Sequence, residues 1–277
     1  MVTRLISAGV GIALALVVLF LHHTVLFPIA VGIVAAVGVF ELYRALHLQR
    51  YPVSFCAGML YALVMPSMAV GSLAKFRMLL TVACVIVVLV DYIRHKTKMA
   101  ARSFFCLITG MFLIPNALAS AVVLNFSHEK HGVIYVVLAL MGAWIADSGA
   151  YFAGRFFGRR KLCPEVSPKK TIEGFIGGIV CNVVVFLIFN MVYAAIMKHQ
   201  GTPITYSVFS TALLAMACAV LGTVGDLSAS VLKRQLEIKD YGTIMPGHGG
   251  VLDRFDSVLL VLPFFSAYIT AVGLFHT

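Results

Sequence analysis

Residues 225–256 read GDLSASVLKRQLEIKDYGTIMPGHGGVLDRFD and decide how the rest of the sequence is interpreted. They hold five of the 11 acidic residues of a chain that is 61% hydrophobic and only 12% charged. An ionised group at membrane depth costs several kcal/mol unless it is paired, metal-bound or hydrated. We therefore interpret this stretch as a polar site set between apolar segments.

Charge-poor apolar runs lie on both sides of this stretch, and the mean hydropathy of the chain is +1.00. A helix needs about 20 apolar residues to cross a bilayer. The runs lie at 5–21, 25–42, 53–71, 76–93, 103–124, 132–152, 172–197, 204–227 and 257–275. They predict an all-α integral membrane protein of about nine transmembrane helices in a single polytopic domain, 1–277. Within it, residues 1–100 form an N-terminal helical scaffold and residues 101–277 a catalytic half.

The net charge of +10 is distributed unevenly between the predicted loops. With nine spans and an inner N-terminus, the only bases on the outer side are Lys75, Arg77, Lys130 and Lys198, which leaves 17 of the 21 on the inner side. Such an excess marks the cytoplasmic face of a membrane protein and attracts anionic lipid head groups. The pattern predicts a multi-pass protein of the inner cell membrane with its polar site facing the cytoplasm, and it argues against nucleic acid as the partner.

Three carboxylates lie at or near the ends of predicted spans. We interpret Glu41 with Arg44, and Asp91 with Arg94, as interfacial charges that fix helix depth. Asp147 ends the run 132–146 and is followed by small residues that allow close helix packing. Because a carboxylate this deep is functional by default, Asp147 is a candidate site residue.

The spacing within the polar stretch favours metal and phosphate binding. A helix that continues past Gly225 places Asp226, Ser230 and Lys233 on one face, at i, i+4 and i+7. Asp253 and Asp256 form a second carboxylate pair at i and i+3. Hard oxygen ligands of this kind suit Mg²⁺.

A glycine-rich run, residues 242–250, separates the two carboxylate groups. It cannot form a regular helix, but its backbone N–H groups can approach a phosphate closely. Acids for a metal, bases for phosphates and a glycine loop together point to phosphoryl or nucleotidyl transfer.

A second candidate phosphate site lies in the basic stretch 155–173. The pair Ser167-Pro168 is typical of a helix N-cap followed by proline in the first turn. A helix that starts there would direct free N–H groups at an anion, with Lys169 and Lys170 adding charge. Thr171 and Glu173 would support the turn.

The polar stretch resembles the signature of the phosphatidate cytidylyltransferases, also called CDP-diglyceride synthases. About fifteen typed positions carry the resemblance: Ser230-x-Leu232-Lys233-Arg234-x4-Lys239-Asp240-x-Gly242, then Pro246-x-His248-Gly249-Gly250-Val251-x-Asp253-Arg254-Phe255-Asp256. Two upstream blocks are also similar, Asp147-Ser148-Gly149-Ala150-Tyr151-Phe152-x-Gly154-Arg155 and Ser167-Pro168-Lys169-Lys170-Thr171-x-Glu173-Gly174. The chain departs from the family at Met245, a mild change, and at Ala229, where the family commonly carries a glutamate.

The resemblance implies that CTP and phosphatidate react to CDP-diacylglycerol and pyrophosphate, with one or two Mg²⁺ ions. Asp226, Asp253 and Asp256 would hold metal; Lys233, Arg234, Lys239 and Arg254 would bind phosphates; and Asp240 would orient one of these bases. The implied substrate-binding residues are Asp147, Ser167, Lys169, Lys170, Ser230, Gly249 and Gly250. For His248 a general base, a phosphate donor and a loop-packing residue stay open; phosphate donor is preferred because phosphatidate is already ionised near neutral pH. The resemblance also implies a homodimer.

Two other functions stay open. One is a related lipid-phosphate transferase, such as a polyprenol kinase-like enzyme, because apolar span surfaces select the lipid and the motif does not. The other is a membrane transporter, which the concentration of charge on one side disfavours. A CDP-alcohol phosphotransferase is disfavoured because its D-G-x2-A-R signature is absent from the sequence.

Overall fold

The apolar runs form long helices, because only a helix satisfies every backbone hydrogen bond within its own segment in an apolar surrounding. The computed structural model describes residues 2–96, 98–128, 130–245 and 249–276. Within these residues ten α-helices follow one another: α1 Val2–Phe20, α2 Leu26–Ala45, α3 Pro52–Val64, α4 Arg77–Arg94, α5 Ala101–Ser127, α6 Gly132–Phe157, α7 Ile172–His199, α8 Val208–Gln235, α9 Leu252–Phe255 and α10 Val258–Val272.

Six helical segments of the described chain are long and apolar enough to cross a membrane. They are Leu26–Ala45, Gly71–Arg94, Ala101–Ser127, Gly132–Phe157, Ile172–His199 and Val208–Gln235. Three shorter apolar segments, Gly9–Phe20, Pro52–Met68 and Val258–Val272, account for the other predicted runs. The chain is a helical, multi-pass membrane protein, and the count of nine spans stays a prediction.

The chain forms two compact units that interleave along the sequence. Unit 1 comprises Met1–Val133 and Lys233–Phe255, and unit 2 comprises Ile134–Leu232 and Asp256–Thr277. Helices α6 and α8 each begin in one unit and end in the other. The predicted division into a scaffold and a catalytic half concerns the roles of the two parts and not their packing, and it stays a prediction.

In unit 1, helix α2 packs against α3 and α5 around the buried ring of Tyr43. Gly58 on α3 and Gly110 on α5 leave room for this ring, because a Cβ atom at either position would collide with it. The Tyr43 hydroxyl donates to the Leu107 carbonyl at 2.5 Å, so the ring is held at both its face and its tip. This packing fixes α2, which carries Glu41.

In unit 2, small residues bring α6 and α7 into close contact. A Cβ atom at Gly149 would meet the Cys181 side chain, and one at Gly178 would meet the Ala146 carbonyl. The amide of Asn182, fully buried on α7, donates to Gly142 on α6 at 3.2 Å and to Ala215 on α8 at 2.8 Å. The close packing predicted around Gly149 is confirmed, and it sets the positions of Asp147 and Asp226.

Two short antiparallel strand pairs complete the described structure: β1 Lys161–Cys163 with β2 Ser167–Thr171, and β3 Thr205–Tyr206 with β4 Phe275–His276. The helix predicted to start at Ser167 is wrong, because Ser167 and Pro168 lie in β2. Helix α7 begins at Ile172, and its N-cap is Thr171, whose hydroxyl accepts the Gly174 N–H at 3.1 Å. The Ser167-Pro168 pair predicted the N-cap before its actual position at Thr171. The pairing of β2 with β1 in the tertiary structure overrode the local helix propensity.

Candidate functional site

The first polar cluster, in unit 2, forms around Asp226 on α8. Lys170 reaches it from β2, with its Nζ atom 2.6 Å from Asp226 Oδ2. The Ser230 hydroxyl, one turn further along α8, donates to Asp226 Oδ1 at 3.3 Å. The predicted continuation of the helix past Gly225, with Asp226 and Ser230 on one face, is therefore confirmed. About a quarter of each side chain of the ion pair is exposed, so the pair remains accessible to a ligand.

Asp147 on α6 adds a second carboxylate to the same cluster. It lies within electrostatic range of Asp226 and Lys170, and the Ser257 hydroxyl donates a hydrogen bond to it. Asp256 is buried next to Ser257, and its Oδ1 atom accepts the Ser257 N–H at 2.8 Å. Gly225 permits this arrangement, because a Cβ atom there would collide with the backbone of Asp256 and Ser257.

The sequence suggested that Lys169 and Lys170 lie at a helix start, but both lie on strand β2. Successive residues of a strand point to opposite faces. Lys169 on β2 is exposed, while Lys170 is partly buried against Asp226. The assumption that both direct charge at one helix start is wrong, since they lie on a strand.

The second polar cluster, in unit 1, forms around Asp253 in α9. Its Oδ1 atom pairs with Lys233 Nζ at 2.8 Å, and its Oδ2 atom accepts the Tyr241 N–H at 2.8 Å and the Gly250 N–H at 3.0 Å. The ammonium of Lys233 also lies 5.4 Å from the centre of the Tyr241 ring. Only 5% of the Asp253 side chain and 12% of the Lys233 side chain are exposed. Asp253 thus connects the end of α8 to residues at both ends of the glycine loop.

Glu41 is a site residue that the sequence analysis missed. It is 1% exposed, and its carboxylate accepts the N–H groups of Val251 at 3.0 Å and Leu252 at 2.8 Å. A Cβ atom at Gly242 or Gly250 would collide with this carboxylate, which explains both glycines. The interpretation of Glu41 as an interfacial charge is therefore wrong. In the sequence, Glu41 is recognisable only as an acidic residue at the end of an apolar run. Interfacial charges show the same pattern.

Asp91 is likewise not an interfacial charge. It is 2% exposed and accepts the Ser54 hydroxyl at 2.5 Å and the Ser54 N–H at 3.2 Å, while His95 Nδ1 lies 3.1 Å from its other oxygen. These bonds join α3 to α4 and have no connection to the polar stretch in the sequence.

The remaining predicted residues are more exposed. Arg234 lies in the last turn of α8 and Arg254 in α9, and both are exposed. Lys239 and Asp240 are exposed in the segment after α8. Gly249 lies close to Asp240, because a Cβ atom on Gly249 would lie near Asp240 Oδ1 and Asp253 Oδ2. Ser167 is partly buried in β2. His248 lies outside the described residues, so its predicted role stays a prediction.

The carboxylates are fewer than a protein-only metal cage requires. Within the described residues no three His, Cys, Asp or Glu side chains form a metal-binding group. Mg²⁺, however, is usually held by one or two carboxylates, with water and substrate phosphates as its other ligands. Asp147 and Asp226, whose charge Lys170 partly compensates, fit that requirement. Asp253 fits it less well, because three protein donors bind its oxygens and only 5% of its side chain is exposed, against 25% for Asp226.

The long apolar helices are those of a multi-pass membrane protein, and they carry two carboxylate–lysine pairs, one partly exposed and one largely buried. Residues 2–272 match the model of the cytidylyltransferase family, and the chain belongs to this family. It is a nucleotidyltransferase, as the resemblance implied.

Curated relatives include phosphatidate cytidylyltransferases from three bacteria. The chain is 31% identical to that of Haemophilus influenzae over 96% of this chain and 97% of that protein, and 29% identical to that of Staphylococcus haemolyticus over 95% and 96%. It is 47% identical to that of Bacillus subtilis over 136 residues. That last match spans about half of each protein, 49% of this chain and 47% of the relative.

Proposed function

We propose that this chain transfers a cytidylyl group from CTP to phosphatidate, giving CDP-diacylglycerol and pyrophosphate. The observation that carries the proposal is the pairing of Lys170 with Asp226 and of Lys233 with Asp253, each at a signature position and each combining a base with an acid. The whole-length relatives that bear the name phosphatidate cytidylyltransferase support the same reaction.

In this reaction an oxygen of the lipid phosphate attacks the α-phosphorus of CTP. One P–O bond forms, the bond between the α- and β-phosphates breaks, and pyrophosphate leaves with the electron pair. The attacking phosphate is already ionised, so no strong general base is required. The protein's task is to position the phosphates and to offset their charge, which is the main source of catalysis in phosphoryl and nucleotidyl transfer.

Lys170 is the base best placed to bind a phosphate in unit 2. Its ammonium is partly exposed and is held by Asp226, so an incoming phosphate meets an oriented cation. In unit 1, Lys233 is held by Asp253 in the same manner. Arg234, Lys239 and Arg254 would add further phosphate contacts, and arginine can make two parallel hydrogen bonds to one phosphate.

Asp226 and Asp147 would hold Mg²⁺ in this proposal, with Asp256 beside them. When bound, the ion would neutralise charge on the transferring phosphate. Asp253 would act mainly by fixing Lys233 and the glycine loop, with a direct metal contact only after its present partners move. Gly249 and Gly250 would let the loop backbone come close to a phosphate.

We further propose that the site faces the cytoplasm, that all nine apolar segments lie in the membrane and that the enzyme forms a homodimer. The uneven distribution of bases supports the orientation. A cytoplasmic site suits the chemistry, because CTP is water-soluble while phosphatidate cannot leave the bilayer.

The proposal is tested with the full-length protein in detergent, supplied with CTP, phosphatidate and Mg²⁺. We expect release of pyrophosphate and formation of CDP-diacylglycerol, both lost when Mg²⁺ is chelated and restored when it is added back. Replacing phosphatidate by a polyprenol or a polyprenyl phosphate tests the related lipid transferases. Protein that keeps its thermal transition but releases no pyrophosphate from CTP and phosphatidate would overturn the proposal.

A further inference from the structure

A cavity of about 370 Å³ lies in unit 1, and none of its lining residues belongs to either carboxylate–lysine cluster. Its wall is formed by the end of α2, the first turns of α5 and the segment that ends α8. All three helices are candidate membrane spans, so their ends mark the level of the bilayer interface. We infer that the cavity lies near the depth of the lipid head groups.

The backbone around this cavity is unusual. Among the described residues, the non-glycine residues with left-handed backbone angles are His47, with φ of 55°, and Glu237, with φ of 56°. Both line the cavity. Strained backbone angles tend to collect at functional sites, where surrounding structure holds them in place.

Both residues follow the end of a helix, where glycine is the usual choice. The Glu237 N–H bonds to the Arg234 carbonyl at 3.1 Å and the Ile238 N–H to the Lys233 carbonyl at 3.0 Å, the pattern in which a left-handed residue closes a helix. His47 follows α2 in a similar way, with its N–H bonded to the Arg44 carbonyl at 3.1 Å. Glycine would avoid the steric cost at both positions. A side chain that can carry charge is present instead, and in each case it borders the cavity.

The cavity wall carries charges of both signs. Arg102 and Glu237 both line it, and neither takes part in an ion pair among the described residues. Ser103 adds a hydroxyl beside Arg102, and the first N–H groups of α5 lack partners within the helix. A guanidinium and a hydroxyl suit a phosphate, and a carboxylate suits an ammonium group.

We propose that this cavity binds the head group of a zwitterionic phospholipid, a phosphate ester that carries an amine. Arg102 and Ser103 hold the phosphate, Glu237 binds the ammonium group, and His47 lines the same cavity. Glu237 lies between Arg234 and Lys239 in the chain, both predicted to bind substrate phosphates. Occupancy of the cavity therefore fixes the segment that joins them.

The proposal is tested by binding, without CTP, so its failure is distinct from failure of the proposed reaction. Full-length protein in detergent is titrated with dihexanoyl phosphatidylethanolamine, and binding is followed by native mass spectrometry. We expect Arg102→Gln and Glu237→Gln each to weaken binding about tenfold, the loss that corresponds to 1.4 kcal/mol. Dihexanoyl phosphatidylglycerol, which has the phosphate but no amine, should bind the wild type and Glu237→Gln alike.

Free glycerophosphoethanolamine distinguishes the source of the head group. If it binds with the same dependence on Arg102 and Glu237, the head group alone suffices; if only the lipid binds, the acyl chains contribute. Glu237→Gly and His47→Gly keep the helix ends and remove the side chains, so their thermal transitions should be no lower than that of the wild type while binding falls. The matched charge controls are Arg77→Gln and Glu165→Gln, two substitutions at exposed positions that do not line the cavity. Equal affinity of the wild type, Arg102→Gln and Glu237→Gln for the amine lipid, or no binding by the wild type, would overturn the proposal.

Discussion

Glu41 shows how a single buried carboxylate can organise a loop that is 210 residues away in the sequence. Its two backbone bonds satisfy N–H groups at the start of α9, which otherwise would be buried without partners. The surrounding glycines exist because no other residue leaves space for the carboxylate. The loop is therefore held by Glu41 at its C-terminal end and by Asp253 at both ends.

We expect Glu41→Gln to lower the free energy of unfolding by about 1–3 kcal/mol, because the amide presents N–H groups to a backbone donor and leaves it unsatisfied. Activity should fall with it, since the glycine loop loses an anchor. Thermal or denaturant unfolding in detergent measures the change, and Glu165→Gln, an exposed acid, is the matched control. A variant as stable as the wild type would mean that these backbone bonds are replaceable.

Asp253→Asn should reduce turnover by at least about 100-fold while the protein still inserts into the membrane. The change removes the charge that holds Lys233, and displacement of a positioned group by about 1 Å can cost that much. Turnover of CTP is measured beside the yield in the membrane fraction and the thermal transition. Full activity in this variant would rule out a role for Asp253 in both metal binding and Lys233 positioning.

At the scale of the elements, glycines determine how closely α6 and α7 pack. Without a hydrophobic driving force between helices in lipid, close backbone approach is the main source of their attraction. Gly149 and Gly178 provide it, and Asn182 adds hydrogen bonds across the same contact. The contact positions Asp147, which lies two residues before Gly149 on α6.

Gly178→Val should destabilise the protein by about 1–3 kcal/mol, because the added atoms meet the Ala146 carbonyl and the Ala150 side chain. Gly11→Val is the matched control: a Cβ atom there has no neighbour within 4 Å, so that variant should unfold like the wild type. The thermal transition in detergent measures both. Equal effects from the two substitutions would show that valine acts through helix propensity and not through packing.

The connection between α5 and α6 should make stability sensitive to acid. Burial lowers the pKa of His128 and His131 from 6.5, and the charge of Lys130 lowers that of His131 further. The unfolded chain then takes up protons first as the pH falls below 6.5, so stability decreases towards acid. We expect the thermal transition to drop between about pH 7 and pH 5, and to drop less in the double variant His128→Gln, His131→Gln. An identical pH profile for both proteins would contradict this assignment.

At the scale of the whole molecule, the uneven distribution of bases over the predicted loops predicts the orientation in the membrane. Cys163 lies in a predicted inner loop and Thr202 in a predicted outer one, with the candidate span α7 between them. In a variant that retains only Cys163, an impermeant maleimide should react from the cytoplasmic side. In a cysteine-free variant carrying Thr202→Cys it should react from the opposite side. Labelling of both from one side would mean that α7 does not cross the bilayer.

The sequence alone determined the helical membrane character and the family, because both depend on local information. Apolar runs about 20 residues long require helices in lipid, and residues 225–256 carry enough typed positions to identify the cytidylyltransferases. The continuation of α8 past Gly225 also followed from local spacing, since Asp226 and Ser230 are one turn apart.

Only the tertiary structure decided which acids pair with which bases. Glu41 and Asp91 have the same local pattern as interfacial charges, yet both are buried because α9 and α3, respectively, present backbone or hydroxyl donors to them. In the β1–β2 hairpin Lys170, and not Lys169, contacts Asp226. Helix α7 begins only after the hairpin, at Ile172. Burial and pairing depend on segments that are far apart in the chain, and the residues next to a side chain carry no information about them.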